Sequence, residues 1–176
     1  PSYLTEFGTL FKASYATGFR APSLYELYSA YGNVNLDPEK SRGWDVGVEQ
    51  ELAGGTIRCG ITYFALTFED RIDYDYLTSQ YQQAEGDTKT KGVETFVQWQ
   101  AGENLSLQAN YTYTDTKDQD DKRLERRPMH KVGAGAQYRY GKARFNLDIK
   151  WVGERDASRF ARDLNGDPVD ALDAYT

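Results

Sequence analysis

The chain has 176 residues and a formal net charge of -6, with pI ≈ 4.9 and a mean hydropathy of -0.74. So acidic a balance excludes nucleic acid as a partner, since phosphate binding needs a basic surface. No run of about eighteen apolar residues is present, which excludes a transmembrane helix but leaves a transmembrane barrel open; Cys59 is the single cysteine, so no internal disulfide forms. The 14 Tyr, 8 Phe and 16 Gly beside one Met suit alternating strands, half of whose side chains face water or a lumen. No signal peptide opens the chain, and residues 1–8 read as a turn or loop, as expected of an internal piece of an exported protein.

Residues 9–17 form the first expected strand, with Phe11, Ala13 and Tyr15 on one side and Lys12, Ser14 and Ala16 on the other. A long connection, 18–40, follows; within it 23–31 is expected to hold a short helix, with Ser23 as N-cap and Glu26 three residues on. In 41–51, Trp44, Val46 and Val48 oppose Asp45, Gly47 and Glu49. A tight Ala53-Gly54-Gly55 turn leads to 56–69, where Ile57, Cys59, Ile61 and Tyr63 oppose Arg58, Gly60 and Thr62. Its far half, 64–68, is apolar on both faces, which predicts a bulge or an extra contact there. A second long loop, 70–87, is rich in Asp, Tyr and Gln.

Residues 88–100 place Val93, Thr95, Val97 and Trp99 against Glu94, Phe96 and Gln98. A short turn at 101–103 leads to 104–115 (NLSLQANYTYTD), the most regular stretch: Leu105, Leu107, Ala109, Tyr111 and Tyr113 alternate with polar residues. Its length exceeds the usual ~5–6 residues of a globular strand and matches a tilted membrane crossing. A charged loop, 116–129, precedes 130–140, with Val132, Ala134, Ala136, Tyr138 and Tyr140 on one face. After the Gly141-Lys142 turn, 143–152 sets Phe145, Leu147, Ile149 and Trp151 against Arg144, Asn146, Asp148 and Lys150. A long segment, 153–173, ends at Ala174-Tyr175-Thr176, the start of an eighth strand.

Connections thus alternate long and short throughout, and the apolar face carries no charge in mid-strand. Both features belong to outer-membrane barrels, with short periplasmic turns, long extracellular loops and a wet lumen. Aromatics fall where interfacial girdles sit: Tyr15, Trp44, Tyr111, Tyr113 and Trp151 toward the loops, Trp99, Tyr138 and Tyr140 toward the turns. The expected fold is all-β, an antiparallel up-and-down meander of about seven strands forming part of a barrel over 1–176. A one-sided sheet in a soluble protein also alternates, so a soluble β-sheet binding module is the competing reading.

The stretches 14–27 (SYATGFRAPSLYEL), 32–41 (GNVNLDPEKS), 91–94 (KGVE), 111–115 (YTYTD) and 124–130 (LERRPMH) resemble the barrel of a TonB-dependent outer-membrane receptor. The likeness covers nearly the whole chain. Residues 31–41 (YGNVNLDPEKS) and 71–75 (RIDYD) are most similar to vitamin B12 (cobalamin) receptors, although siderophore and haem receptors share much of the pattern. The resemblance implies a 22-stranded barrel in the bacterial outer membrane, with a plug and a segment contacting the TonB complex upstream of Pro1 and a closing strand beyond Thr176. It implies uptake of cobalamin or an iron chelate, with no chemical step.

Loop tyrosines Tyr25, Tyr28, Tyr31, Tyr74, Tyr76 and Tyr81 are the candidate ligand platform, each offering a flat apolar face and one hydroxyl; self-packing of the loops is the plainer alternative. Arg126, Arg127 and His130 offer an anionic ligand bidentate guanidinium contacts, but this stretch sits where a strand begins, so a structural role is the favoured reading of all three. Asp163, Asn165, Asp167 and Asp170 stand at Ca²⁺-ligand spacing but lack a downstream bidentate Glu, so a solvated acidic loop is the simpler reading. Asp70, Asp73 and Asp75 are treated alike, and no resident cofactor is expected. Glu94 is expected to pair with a neighbouring cation, Cys59 to fill the lipid face, and Gly133 and Gly135 to mark close backbone packing. One histidine builds neither a catalytic triad nor a multi-histidine metal site, which argues against an outer-membrane enzyme.

Overall fold

The computed structural model describes residues 1–84, 86–157, 161–163, 165 and 167–176. Its elements in chain order are β1 (Ser2–Leu4), β2 (Thr9–Arg20), α1 (Leu24–Tyr28), β3 (Glu39–Leu52), β4 (Ile57–Glu69), β5 (Ile72–Asp75), β6 (Gln80–Gln83), β7 (Thr88–Gln100), β8 (Leu105–Lys117), β9 (His130–Tyr140), β10 (Ala143–Val152), β11 (Arg155–Asp156) and β12 (Ala171–Leu172). One eight-stranded sheet runs β1-β2-β3-β4-β7-β8-β9-β10, and β5-β6 and β11-β12 are separate two-stranded sheets. Every neighbour in the large sheet is antiparallel.

The register shows what the alternation was for. Across β2 to β10 it runs Tyr15↔Trp44, Val46↔Tyr63, Tyr63↔Val93, Val93↔Tyr113, Tyr111↔Val132 and Val132↔Trp151, so one apolar face is continuous over seven strands. A one-residue slip anywhere would turn a strand inside out. Among the described residues no second layer lies against this face: Phe145, Leu147 and Ile149 are exposed, and the buried apolar residues are Leu36, Ile72 and Ala157. A soluble sheet would bury that face in a core. A 13-residue strand such as β7 at ~3.3 Å per residue runs ~43 Å. Tilted by ~45° it crosses ~30 Å, the thickness of a bilayer's hydrocarbon.

Rings flank the apolar band: Trp99, Tyr138 and Tyr140 are exposed toward the turns, and others meet toward the loops. Trp44 and Tyr63 are 5.4 Å apart between centroids, and His130 stacks on Tyr111 at 6.0 Å and leans on Tyr113 at 5.4 Å. The Tyr111 hydroxyl and His130 Nδ1 are 2.8 Å apart. The histidine therefore packs among the rings of the girdle.

The opposite face is polar and ion-paired. Glu49, only 7% exposed, is gripped by Lys12 and Arg58, and Ser14 donates to Asp45. Glycine lets neighbouring side chains lie flat here. A Cβ on Gly60 would stand 2.6 Å from the Phe96 ring, and one on Gly92 would collide with Phe64 and the Tyr113 carbonyl oxygen.

Several expectations need correcting. Residues 1–8 are not all loop, because Ser2–Leu4 pairs with β2. No bulge interrupts β4, whose register with β3 and β7 is unbroken from Ile57 to Phe68; Phe64 and Leu66 instead lie over Gly92 and Gly43. Gly133 and Gly135 make room for the side chains of Asn110, Gln108 and Asp148 rather than for a neighbouring backbone. Glu94 is exposed and has no ion pair among the described residues. The 70–87 loop is not structureless: it folds into the β5-β6 hairpin.

Candidate ligand-binding rim

The long connections all leave the same end of the sheet, and two of them knit together. Ser23 caps α1 and Glu26 returns the bond to the Ser23 N–H, completing the capping box read from sequence; the helix is shorter than 23–31. Arg20 at the end of β2 pairs with Glu26 and Glu39, tying the helix to the wall. The main-chain N–H of Ile72 donates to Glu39 Oε1 at 2.8 Å, the N–H of Tyr81 to the Tyr31 carbonyl at 2.9 Å, and the Asp37 N–H to Gln83 Oε1 at 2.9 Å. Leu36 and Ile72 are buried beneath.

Five of the six candidate tyrosines converge on this joint. Tyr74 stands edge-on to Tyr31 (5.9 Å), Tyr76 (5.0 Å) and Tyr81 (5.3 Å), and Tyr25 meets Tyr81 at 6.1 Å. Edge-to-face stacking fixes ring orientation as well as contact, yet Tyr25, Tyr31 and Tyr76 remain 59%, 46% and 59% exposed. Tyr28 does not join them: it is 70% exposed and makes no ring contact among the described residues.

The two arginines part company. Arg126 adopts a left-handed backbone, φ 61°, its main-chain N–H donates to the Asp156 carbonyl at 2.8 Å, and it is not among the residues lining the cleft that Arg127 enters. Arg127 lines a cleft of about 510 Å³ at the mouth of the polar face, with Arg20, Arg71, Lys131, Glu39, Asp73 and a row of threonines. The sequence reading missed Arg71 and Lys131. Lys131 pairs with Thr112, and Thr112 with Glu94, so it shares the inward face of Thr90 and Thr116 but lies four positions along the wall from that pair.

The aspartates are engaged locally. Asp70 pairs with Lys40 and Asp73 with Arg71. Asp75 accepts from the Leu77 N–H at 2.9 Å, chiefly because of which its carboxyl is held below the usual range. Asp163 accepts from the N–H groups of Asn165 and Asp167; Leu164 and Gly166 of that segment lie outside the described residues. Among the described residues no group of three or more His, Cys, Asp or Glu is placed to hold a metal ion.

A one-sheet wall with an uncovered apolar band, ring girdles at both margins, a charged inner face and all long loops at one end defines an outer-membrane β-barrel protein. Comparison with known proteins narrows this. The family described as TonB dependent receptor-like, beta-barrel matches residues 3–176, and the chain belongs to that family of transport receptors of the bacterial outer membrane. It is 32% identical over 180 residues to the vitamin B12 transporter of Vibrio cholerae serotype O1, covering 99% of this chain and 28% of that protein. Among solved structures, the ferric-catecholate import receptor Fiu of E. coli K12 superposes with TM-score 0.73 at 17% identity, covering 98% of this chain and 26% of that one. The ferripyoverdine receptor of Pseudomonas aeruginosa gives 0.73 at 20% identity, covering 95% and 24%. The chain thus spans about a quarter of the length of the relatives it matches.

Proposed function

We propose that the receptor containing this chain takes up cobalamin across the outer membrane, with energy supplied through TonB by way of a plug elsewhere in the protein. The observation that carries the reading is the interlocked tyrosine cluster at the loop end of the wall, alongside 32% identity to a vitamin B12 transporter. Large rings fixed edge-on present a broad apolar face with few degrees of freedom to lose on binding. A corrin, flat and fringed with amides, matches such a face and its hydroxyls. The inner wall's paired charges and amides are then the contact surface for the plug.

Binding titrations of cobalamin and ferric siderophores against the intact receptor test this. Cobalamin binding that weakens about tenfold or more in Tyr74→Ala, with Tyr28→Ala unchanged, is expected from the loss of a desolvated aromatic contact. Tight siderophore binding without cobalamin binding would replace the reading with its runner-up, ferric-siderophore uptake. That second reading is favoured by one feature, the cations Arg127 and Lys131 at the mouth, which have no ion pair among the described residues.

A further inference from the structure

The cleft at the mouth of the polar face is more than a gap between loops. Its floor is the inward row of the wall, Thr88, Thr90, Thr114 and Thr116, and its cover comes from Leu124 and Pro128 of the 118–129 loop and from Arg71 and Ile72. Two main-chain bonds hold that cover down: the Leu124 N–H to the Thr116 carbonyl at 3.1 Å, and the Thr114 N–H to the Met129 carbonyl at 2.8 Å. Four cationic side chains line the cleft, Arg20, Arg71, Arg127 and Lys131, against two acidic ones, Glu39 and Asp73.

The pairing is uneven. Arg20 spends its charge on Glu26 and Glu39, and Arg71 pairs with Asp73 while its buried Nε lacks a hydrogen-bond partner. Arg127 and Lys131 have no ion pair among the described residues. What remains is one planar guanidinium and one ammonium beside hydroxyls, of which Thr90 and Thr116 already meet at 3.1 Å. In a chain of net charge -6, two cations that line one cleft with no ion pair among the described residues single it out.

We infer that this cleft is an oxyanion subsite of the uptake site, taking a phosphate or carboxylate group carried by the ligand. The inference rests on the uptake reading above and adds a second anchor to it. A guanidinium fork takes two oxygens of such a group, an ammonium a third, and threonine hydroxyls complete the shell. The tyrosine cluster then holds the ligand's apolar body while the cleft fixes which end points into the lumen.

The test uses the intact receptor, its fold checked by the heat-dependent gel shift of a closed barrel, as wild type, as Arg127→Gln/Lys131→Gln and as the charge-keeping Arg127→Lys/Lys131→Arg. Inorganic phosphate and citrate are titrated separately, by ³¹P line broadening and by competition, which tells phosphate from carboxylate preference. Cobalamin, which carries a phosphodiester, is compared with cobinamide, which lacks it. Expected are anion binding lost in the Gln pair and retained in the charge-keeping pair, and cobalamin affinity falling about tenfold or more in the Gln pair while cobinamide stays within about twofold. Absence of anion binding to the wild type, or equal losses for cobalamin and cobinamide, overturns the inference. If the wild type binds neither corrinoid, the cobalamin reading fails by itself and the anion titrations still decide the cleft.

Discussion

Along β7, Val93, Val97 and Trp99 face one way and Glu94, Phe96 and Gln98 the other, and each neighbouring strand repeats the choice in register. The rim above is assembled differently. Tyr31 reaches Tyr74, Tyr25 reaches Tyr81, and Glu39 catches the Ile72 N–H, joining stretches more than thirty positions apart. The wall is specified locally by a two-residue period and globally by its solvent; the rim is specified by particular long-range contacts. One tolerates many sequences of the right pattern, and the other depends on few residues. That difference is why wall and rim are expected to respond differently to substitution.

The largest effect belongs to the wall. Val97→Arg puts a charge on the lipid face and should cost about 2–4 kcal/mol of folding free energy in vesicles, whereas Gln98→Arg, one residue on and facing inward, should cost far less. Equal costs from urea titrations of the two would break the distinction between faces. Next comes close packing: Gly92→Val drives a side chain into Phe64 and the Tyr113 carbonyl, an overpacking loss of about 1–3 kcal/mol by the same titration. A smaller, local effect follows at the rim. Ser23→Ala removes the α1 cap, worth about 1 kcal/mol, and should speed amide exchange across 24–28 without moving the wall's unfolding midpoint.

Smallest is a pH effect confined to the rim. Hydrogen bonding from Arg20, then from the Ser23 N–H, holds the Glu26 carboxyl below its ordinary 4.5. Because the folded value is the lower one, this contribution is complete above 4.5 and fades as pH falls through the folded value. Exchange in α1 should therefore accelerate in acid while β2 to β10 stay protected; simultaneous loss in both would merge the two regions.

The same division governed what the amino acids disclosed. Every long strand of the wall was legible because Leu105 to Tyr113 and its counterparts alternate over most of their length, and only ends were misplaced. Ser2–Leu4 escaped because three residues carry no period. β5 and β6 escaped because Ile72-Asp-Tyr-Asp75 and Gln80-Tyr-Gln-Gln83 are polar enough to pass for loop, and the hairpin is secured by Glu39 and Asp37 from another segment. At the rim, tyrosine content identified the right residue type, yet nothing local separated Tyr28, left outside, from Tyr25. Likewise nothing in adjacent Arg126 and Arg127 announced that a left-handed backbone at the first would leave only the second in the cleft.

The account stands on lipid contact along the apolar face, and the chain carries its own reporters, since its three tryptophans are Trp44, Trp99 and Trp151, all on that face. Single-tryptophan versions of the intact receptor in vesicles of bromine-labelled lipids give the direct measurement. Quenching of each by bromines near the head of the acyl chain, with little quenching by aqueous acrylamide, is the expected result. Emission indifferent to bromine and open to acrylamide would contradict it.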